Sequence, residues 1–174
     1  MSCGENKAVV SRFVEEFWSQ GNTAAADELM TADAAIFLLG RGQVSKESFK
    51  AFAMTLRGAF PDWYSIQEEL IAQDDRVAER WTGRGTHQGG FLGVPPTGRQ
   101  VAVPGFVFYR LTSGKIAEFR GLFDGLSMLQ QLVRSRTTDN CHPSSGAREE
   151  QPSCLSTHCA HPSCRTSKPI CMAN

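Results

Sequence analysis

The centre of the chain contains the glycine- and proline-rich segment Arg84-Gly85-Thr86-His87-Gln88-Gly89-Gly90-Phe91-Leu92-Gly93-Val94-Pro95-Pro96-Thr97-Gly98-Arg99. On both sides of this segment apolar and polar residues alternate, which is the pattern of strands with one buried face. Turn residues at Asp74-Asp75 and at Thr112-Ser113-Gly114 divide the alternating stretches. Four strands are therefore predicted, over residues 64–70, 77–81, 99–111 and 115–123. Short turns and the central loop would join them into an antiparallel meander.

Helical patterns precede most of these strands. Apolar residues recur at three- and four-residue spacing from Val10 to Trp18, which predicts an amphipathic helix that ends at Gly21. A short second helix is expected to begin at a cap formed by Asn22 or Thr23 and to run through Met30.

A third helix and one early strand complete the first half. Residues 35–39 are short and apolar enough for a buried strand, and Ser45 can cap the helix that follows, up to Phe60-Pro61-Asp62. The aromatic residues at helical spacing are expected in the core: Phe13, Phe17, Trp18, Phe49 and Phe52. Helices followed by an antiparallel meander predict an α+β fold.

Composition favours an ordinary globular protein. The 174 residues include 18 basic and 18 acidic side chains, and 41% are hydrophobic. Zero formal net charge without a basic stripe argues against a nucleic-acid partner. No run approaches the ~18 apolar residues of a membrane span, and residues 1–6 lack the pattern of a secretory leader. We therefore expect a cytoplasmic protein without a membrane partner.

Cysteine usage divides the chain into a domain and a tail. Apart from Cys3, every cysteine lies beyond residue 140, where Ser, Thr, Pro, Cys and His predominate. We interpret residues 1–133 as one domain and residues 134–174 as a disordered tail, because the tail has too few large apolar residues to offset its ordering entropy. The tail sequence from Cys154 to Cys164 contains potential zinc ligands, but their spacing fits no standard zinc module, so no metal site is predicted.

Two motifs carry a family resemblance: the central segment quoted above and Phe123-Asp124-Gly125-Leu126-Ser127-Met128-Leu129-Gln130-Gln131-Leu132. With them the chain resembles the SnoaL-like polyketide (ester) cyclase family from Lys7 to Leu132. The resemblance implies a cone-shaped barrel, in which a strongly bent antiparallel sheet wraps around N-terminal helices and encloses one pocket. It also implies no cofactor, a small hydrophobic carbonyl-containing ligand, and a homodimer or higher homo-oligomer formed through an exposed sheet face.

Asp124 is the leading catalytic candidate, because the acid/base aspartate of the family occupies the matching place in the second motif. A carboxyl group in an apolar pocket has a raised pKa and can exchange protons near neutral pH. The implied reaction is proton abstraction from an activated carbon, intramolecular aldol closure and reprotonation. The alternative interpretation is structural, since Asp124 also stands where it can cap a final helix.

His87 is the second catalytic candidate. It is the only histidine of the sequence outside the tail, and imidazole can transfer protons or polarise a carbonyl oxygen near pH 7. A purely structural role in the loop remains the alternative. The glycines around it are assigned to turns and close packing.

Substrate binding is assigned to aromatic residues on the strands: Trp63, Trp81, Phe106 and Phe108. Large rings on a concave sheet suit a planar ligand, although strand alternation turns part of such a set to the other face. Arg120, where relatives commonly carry tryptophan, is included in the predicted pocket. Tyr109 or Arg110 could donate to a developing enolate if its side chain points inward.

Two functional classes follow from these residues. The first is a cofactor-independent cyclase or isomerase with Asp124 as acid/base and His87 assisting. The second is a non-catalytic small-molecule-binding or dimerisation module, because one fold hosts enzymes and binders alike. A buried Asp124 facing a pocket would favour the enzyme, and an isolated capping Asp124 the binder. An epoxide hydrolase is a minor alternative, since no clear Asp/Arg/Asp spacing is found.

Overall fold

The computed structural model describes residues 2–38, 40 and 42–133. The predicted tail and its Cys/His cluster lie outside the described residues. Within the described part, no helix is long and apolar enough to cross a membrane.

The N-terminal helical region begins earlier than the apolar pattern alone indicated. Helix α1, Cys3–Phe13, starts with a capping box in which Ser2 and Glu5 satisfy each other's backbone N–H groups. It continues directly into a π-helical turn, Val14–Ser19. Such wider turns are frequent at functional sites, and this one contributes Val14 and Trp18 to the cavity described below.

The next elements largely follow the sequence pattern. Helix α2 spans Ala25–Leu29, and strand β1 spans Met30–Leu38, so Met30 begins the strand instead of ending the helix. Strand β2, Gly42–Val44, leads to helix α3, Lys46–Ala59. As predicted, Ser45 caps α3, because its Oγ accepts a hydrogen bond of 3.1 Å from the Ser48 N–H.

The second half forms the predicted meander. Strands β3 (Tyr64–Gln73), β4 (Arg76–Thr86), β5 (Gln100–Thr112) and β6 (Lys115–Phe123) pair antiparallel in sequence, and helix α4 (Gly125–Val133) follows. The α+β class is therefore confirmed.

The complete sheet is mixed rather than wholly antiparallel. Its strand order is β2-β1-β6-β5-β4-β3, with β1 parallel to β6 and β2 antiparallel to β1. The sheet is not closed into a barrel, since β2 and β3 form its two edges. Strand alternation could not reveal the β1–β6 pair, because period-two patterning is the same for parallel and antiparallel neighbours.

The core lies between the helices and the inner face of the sheet. Phe17 of the π-helical turn stacks between Phe13 and Phe49, at ring-centroid distances of 5.0 and 4.9 Å. Phe49 in turn contacts Phe119 of β6 at 4.9 Å. These rings are essentially buried, and full burial of a side chain of this size contributes about 1.5–3 kcal/mol. Trp18 and Phe52 are only partly buried and pack at the edge of the core.

Two inner-face glycines give space to large indole rings. A Cβ at Gly83 would overlap the Trp63 ring, and a Cβ at Gly105 would overlap the Trp81 ring. The absence of side chains at these positions lets the two tryptophans lie close to the sheet. The two rings form part of the wall of the cavity described below.

Candidate functional site

An open cavity lies between the inner face of the sheet and the helices. The empty space between its walls, together with the open solvent at its mouth, amounts to about 700 Å³. Its wall is mainly apolar and rich in aromatic side chains, including Trp18, Phe52, Trp63, Trp81, Phe91 and Phe119. The polar side chains in the wall are Ser65, Glu79 and Tyr109. An apolar pocket with a few convergent polar groups is the usual form of a small-molecule site.

Glu79 is the buried carboxylate of this cavity. Its side chain is held by two donors: Gln67 Nε2 donates to Oε1 at 2.9 Å, and Tyr109 Oη donates to Oε2 at 2.6 Å. Glu79 is only 2% exposed. Burial raises the pKa of Glu79, although the hydrogen bonds from Tyr109 and Gln67 oppose this effect.

Tyr109 complements this carboxylate. Burial and the neighbouring Glu79 raise the pKa of Tyr109 well above its ordinary value, so the phenol keeps its proton and acts as the donor. Among the described residues that line the cavity, Glu79 and Tyr109 are the two that can ionise. Any proton transfer by a side chain of the described cavity wall would therefore involve this pair.

Strand phase and register explain this arrangement. Glu79 lies in the inward phase of β4 with Val77 and Trp81. It pairs with Val107 of β5, and Tyr109 follows two residues later on the same face. The site prediction missed Glu79, although the signal was present: a carboxylate occupies an apolar phase of a strand. Of the two donors left open by the sequence, Tyr109 points inward, whereas Arg110 forms an ion pair with Glu118.

Asp124 is not part of the cavity wall. Its Oδ1 accepts a 2.8 Å hydrogen bond from the Ser127 N–H, which caps α4, and its side chain is exposed. The adjacent Phe123 lines the cavity instead. The geometry thus matches the capping interpretation, while an acid/base role for Asp124 stays a prediction.

His87 is fully buried beside the cavity wall rather than in it. Its Nδ1 lies 3.1 Å from Thr97 Oγ1, and its ring packs against Phe60 at 5.1 Å. Nε2 has no hydrogen-bond partner within the described part of the chain. Burial lowers the pKa of His87, so the ring is neutral near pH 7. In this arrangement His87 joins the two ends of the central loop.

The predicted substrate-binding residues separate into two groups. Trp63 and Trp81 line the cavity, whereas Phe106 and Phe108 are 49% and 63% exposed on the opposite face of the sheet. The reason is the alternation of β5, which turns even-numbered residues outward between the buried odd-numbered ones. The expectation that Phe106 and Phe108 lie in the pocket is therefore corrected.

Arg120 also lies on the outer face. Its guanidinium forms an ion pair with Glu118 and sits 4.0 Å from the centroid of the Phe37 ring. It does not contribute to the cavity wall. The described residues contain no cluster of three or more His, Cys, Asp or Glu side chains arranged to hold a metal ion.

Comparison with known families identifies the chain. The model of the SnoaL-like polyketide cyclase family matches residues 8–132. The chain belongs to the SnoaL-like polyketide cyclase family. The resemblance seen in the two sequence motifs is thereby confirmed.

Solved structures support the same assignment for this SnoaL-like protein. A protein from Jannaschia sp. CCS1, assigned as a SnoaL-like polyketide cyclase, is 28% identical with a TM-score of 0.68, over 74% of this chain and 92% of that one. IdmH from Streptomyces antibioticus, assigned as a polyketide cyclase, is 28% identical with a TM-score of 0.67, over 73% and 97% of the two chains.

A third similar structure carries a different assignment. AclR from Streptomyces galilaeus, assigned as a hydroxylase, is 28% identical with a TM-score of 0.70, over 75% of this chain and 82% of that one. A search of curated proteins gave no match. Because structures similar to this chain carry different assigned activities, the reaction has to be argued from the site itself.

Proposed function

We propose that this SnoaL-like protein binds an apolar, carbonyl-containing small molecule in its cavity and catalyses a cofactor-independent cyclisation or isomerisation by proton transfer. The observation that carries the proposal is the buried Glu79 carboxyl group in an aromatic cavity, held by Tyr109 and Gln67. Glu79 takes the acid/base role that sequence reasoning gave to Asp124.

The proposed chemistry begins at a carbon next to a carbonyl group. The Glu79 carboxylate removes a proton from this carbon, which leaves an enolate. In an intramolecular aldol closure the enolate carbon bonds to a second carbonyl carbon, and the proton returns from Glu79 to the new alkoxide. In an isomerisation the proton returns to a different carbon. A raised pKa suits both half-steps, because general acid/base catalysis is most efficient when the pKa lies near the working pH.

Tyr109 and Gln67 act as positioning residues in this scheme. One donor on each oxygen fixes the plane of the carboxylate. The hydrogen bond from Tyr109 also lowers the pKa of Glu79 relative to the same carboxyl group without it. Removing the phenol oxygen should therefore shift the pH profile of the reaction upward.

The test uses 2-acetylnaphthalene, an apolar aryl ketone, in D2O with the full-length protein. Exchange of its methyl protons for deuterium, followed by NMR, reports proton abstraction without requiring the natural substrate. We expect acceleration over buffer, a loss of about 10²–10⁴-fold in Glu79→Gln, and a pH profile moved to higher pH in Tyr109→Phe. Glu69→Gln, the same change at a 55% exposed side chain, is the matched control.

The variant Asp124→Asn tests whether Asp124 or Glu79 is the acid/base residue. We expect exchange within about twofold of the unaltered protein, because a capping contact contributes to stability rather than to chemistry. Loss of exchange in Asp124→Asn, with retention in Glu79→Gln, would return the acid/base role to Asp124.

A non-catalytic binding module is the second candidate. It is favoured by the two hydrogen bonds of Glu79, one to each oxygen, because they are what a buried carboxyl group with a purely structural role needs. In that case the hydrogen bond between Glu79 and Tyr109 stabilises the fold and takes part in no reaction. Binding of 2-acetylnaphthalene without any accelerated exchange would support this alternative.

We also propose that the outer sheet face mediates homo-oligomerisation. Phe106 pairs in register with Leu122, which is 45% exposed, and the neighbouring pair joins Phe108 with Arg120. Charges of both signs, including Glu118, flank this apolar patch, so that two copies of the patch can face each other without net charge repulsion. Light scattering should show a dimer that dissociates in Phe108→Asp, whereas an unchanged mass in the variant would refute this contact.

A further inference from the structure

We propose that the cavity contains a second polar subsite, formed by the Trp63 indole N–H and the Ser65 hydroxyl. This subsite binds an oxygen acceptor at the end of the ligand remote from Glu79. The ligand class is thereby narrowed to elongated, flat, apolar molecules with a carbonyl group at one end and an ether, carbonyl or phenol oxygen at the other. The inference rests on the proposed function in so far as the cavity must hold a ligand.

The first observation is the unpaired indole of Trp63. The side chain lines the cavity and is only 4% exposed. Its Nε1 has no hydrogen-bond partner within the part of the chain that the structure describes. Buried polar groups nearly always have a partner, so a buried donor without one needs an explanation. A ligand acceptor supplies that explanation.

The second observation is the position of Ser65 beside this donor. Gly83 lies beneath the Trp63 ring: a Cβ built there would stand 3.0 Å from Cε2, the carbon bonded to Nε1. Gly83 is also the ladder partner of Ser65. Ser65 lines the cavity and is half-buried, so its hydroxyl is accessible to a ligand. The Ser65 side chain and the Trp63 ring therefore both lie next to Gly83 on the inner face of the sheet.

The chemistry of these groups defines what they bind. An indole N–H donates and cannot accept, whereas a serine hydroxyl can do both. A ligand atom that satisfies both groups must therefore accept a hydrogen bond. Neutral oxygen suits this environment, because the surrounding wall is apolar and this end of the cavity offers no cationic side chain among the described residues.

The distance between the two polar ends sets the length of the ligand. Glu79 and Gly83 lie on the same face of β4 and are four residues apart, which corresponds to ~13 Å along the strand. Between them Trp81 lies over Gly105 and faces the cavity. A flat apolar body that stacks on Trp81 would thus connect the carbonyl end at Glu79 with the oxygen end at Trp63.

A matched pair of probes tests the subsite: 6-methoxy-2-acetylnaphthalene and 6-ethyl-2-acetylnaphthalene. They differ by one ether oxygen in place of a methylene group and are nearly equal in size. Calorimetric titration of the full-length protein should give about fivefold tighter binding of the methoxy probe, as expected for one added hydrogen bond. In Trp63→Phe, which keeps an aromatic ring but has no N–H, this preference should fall below twofold.

Ser65→Ala provides the second variant, because it removes a hydroxyl with little change in packing. It should reduce the preference for the methoxy probe without weakening the ethyl probe. The inference is overturned if the unaltered protein does not distinguish the probes, if it binds neither, or if the full preference survives in both variants.

Deuterium exchange separates this inference from the proposed function. Accelerated exchange of both probes without a methoxy preference would refute the subsite and leave the role of Glu79 intact. A methoxy preference that depends on Trp63, without accelerated exchange, would support the subsite and refute the catalytic role.

Discussion

On the inner face of the sheet, β4 buries the carboxyl group of Glu79, whereas on the outer face β5 exposes the rings of Phe106 and Phe108. From residue type alone, the carboxyl group would be expected on an exposed face and the phenylalanine rings on a buried face. Position in the strand decides instead, since successive residues point to opposite faces. The buried carboxyl group is tolerated because two donors satisfy it. In this chain the carboxylate that breaks the apolar pattern of the inner face lines the cavity, whereas these two large rings do not.

The largest difference in the free energy of unfolding is expected between substitutions of two phenylalanines on neighbouring strands. Phe119 is 2% exposed on the inner face, and Phe108 is 63% exposed on the outer face. Phe119→Ala should lower the free energy of unfolding by about 3–5 kcal/mol, because it leaves a cavity in the core. Phe108→Ala should change it by about 0.5 kcal/mol or less within a single subunit. Urea denaturation over a range of protein concentrations would separate subunit contact from core packing; equal losses would contradict the assignment of faces.

The next effect concerns added volume on β5. Gly105→Ala should destabilise the fold by about 1–3 kcal/mol, because its new methyl group overlaps the Trp81 ring. Ala102→Val adds volume at an exposed position of the same strand and should have little effect. Thermal unfolding of both variants tests this difference, and an unaltered transition in Gly105→Ala would contradict the tight packing of the Trp81 ring and the Leu122 carbonyl around Gly105.

The pH dependence of stability should reveal the buried carboxyl group. Because the pKa of Glu79 is raised on folding, the folded state binds the proton more tightly than the unfolded chain. Its contribution to stability is complete below the unfolded pKa and disappears as pH rises through the folded pKa.

Glu79→Gln removes this titration. The unaltered protein should therefore lose stability relative to Glu79→Gln as pH rises above ~4.3, by about 1.4 kcal/mol for each pH unit separating the folded and unfolded pKa values. Denaturant unfolding of both proteins from pH 4 to pH 8 measures the difference. Parallel stability curves would mean that Glu79 titrates alike in both states.

The smallest effect should arise at Asp124, the exposed carboxylate. Asp124→Ala removes the cap on α4 and should destabilise the protein by about 1 kcal/mol. Asp124→Ser, which retains a capping oxygen, should restore most of this loss. Thermal unfolding checks both variants, and equal stability of the Ala and Ser variants would argue against capping.

Local signals predicted much of the fold. The helical spacing from Val10 to Trp18, the cap at Ser45 and the alternation on either side of the central loop correspond to α1 with its π-helical turn, to α3 and to the β3–β6 meander. These features depend on neighbours within a few residues. The α+β class could therefore be predicted from their order along the chain.

The candidate site was less accessible to such reasoning. Trp63 and Trp81 were selected for their rings and do line the cavity, but Phe106 and Phe108 were selected on the same ground and do not. Glu79 appeared in the alternating pattern without being recognised as a site residue. The role proposed for Glu79 depends on Tyr109, which lies 30 positions away in the sequence.

The amino-acid sequence by itself determined the periodicity of each element, the main turns and caps, and the membership of the SnoaL-like family. Tertiary structure decided the parallel docking of β1 on β6, the choice of inner face and the pairing of Glu79 with Tyr109. The physical reason is the separation along the chain over which each effect acts. Propensity, capping and alternation depend on residues that are only a few positions apart. Glu79 becomes buried, and its pKa is thereby raised, only when distant strands and helices enclose the same space.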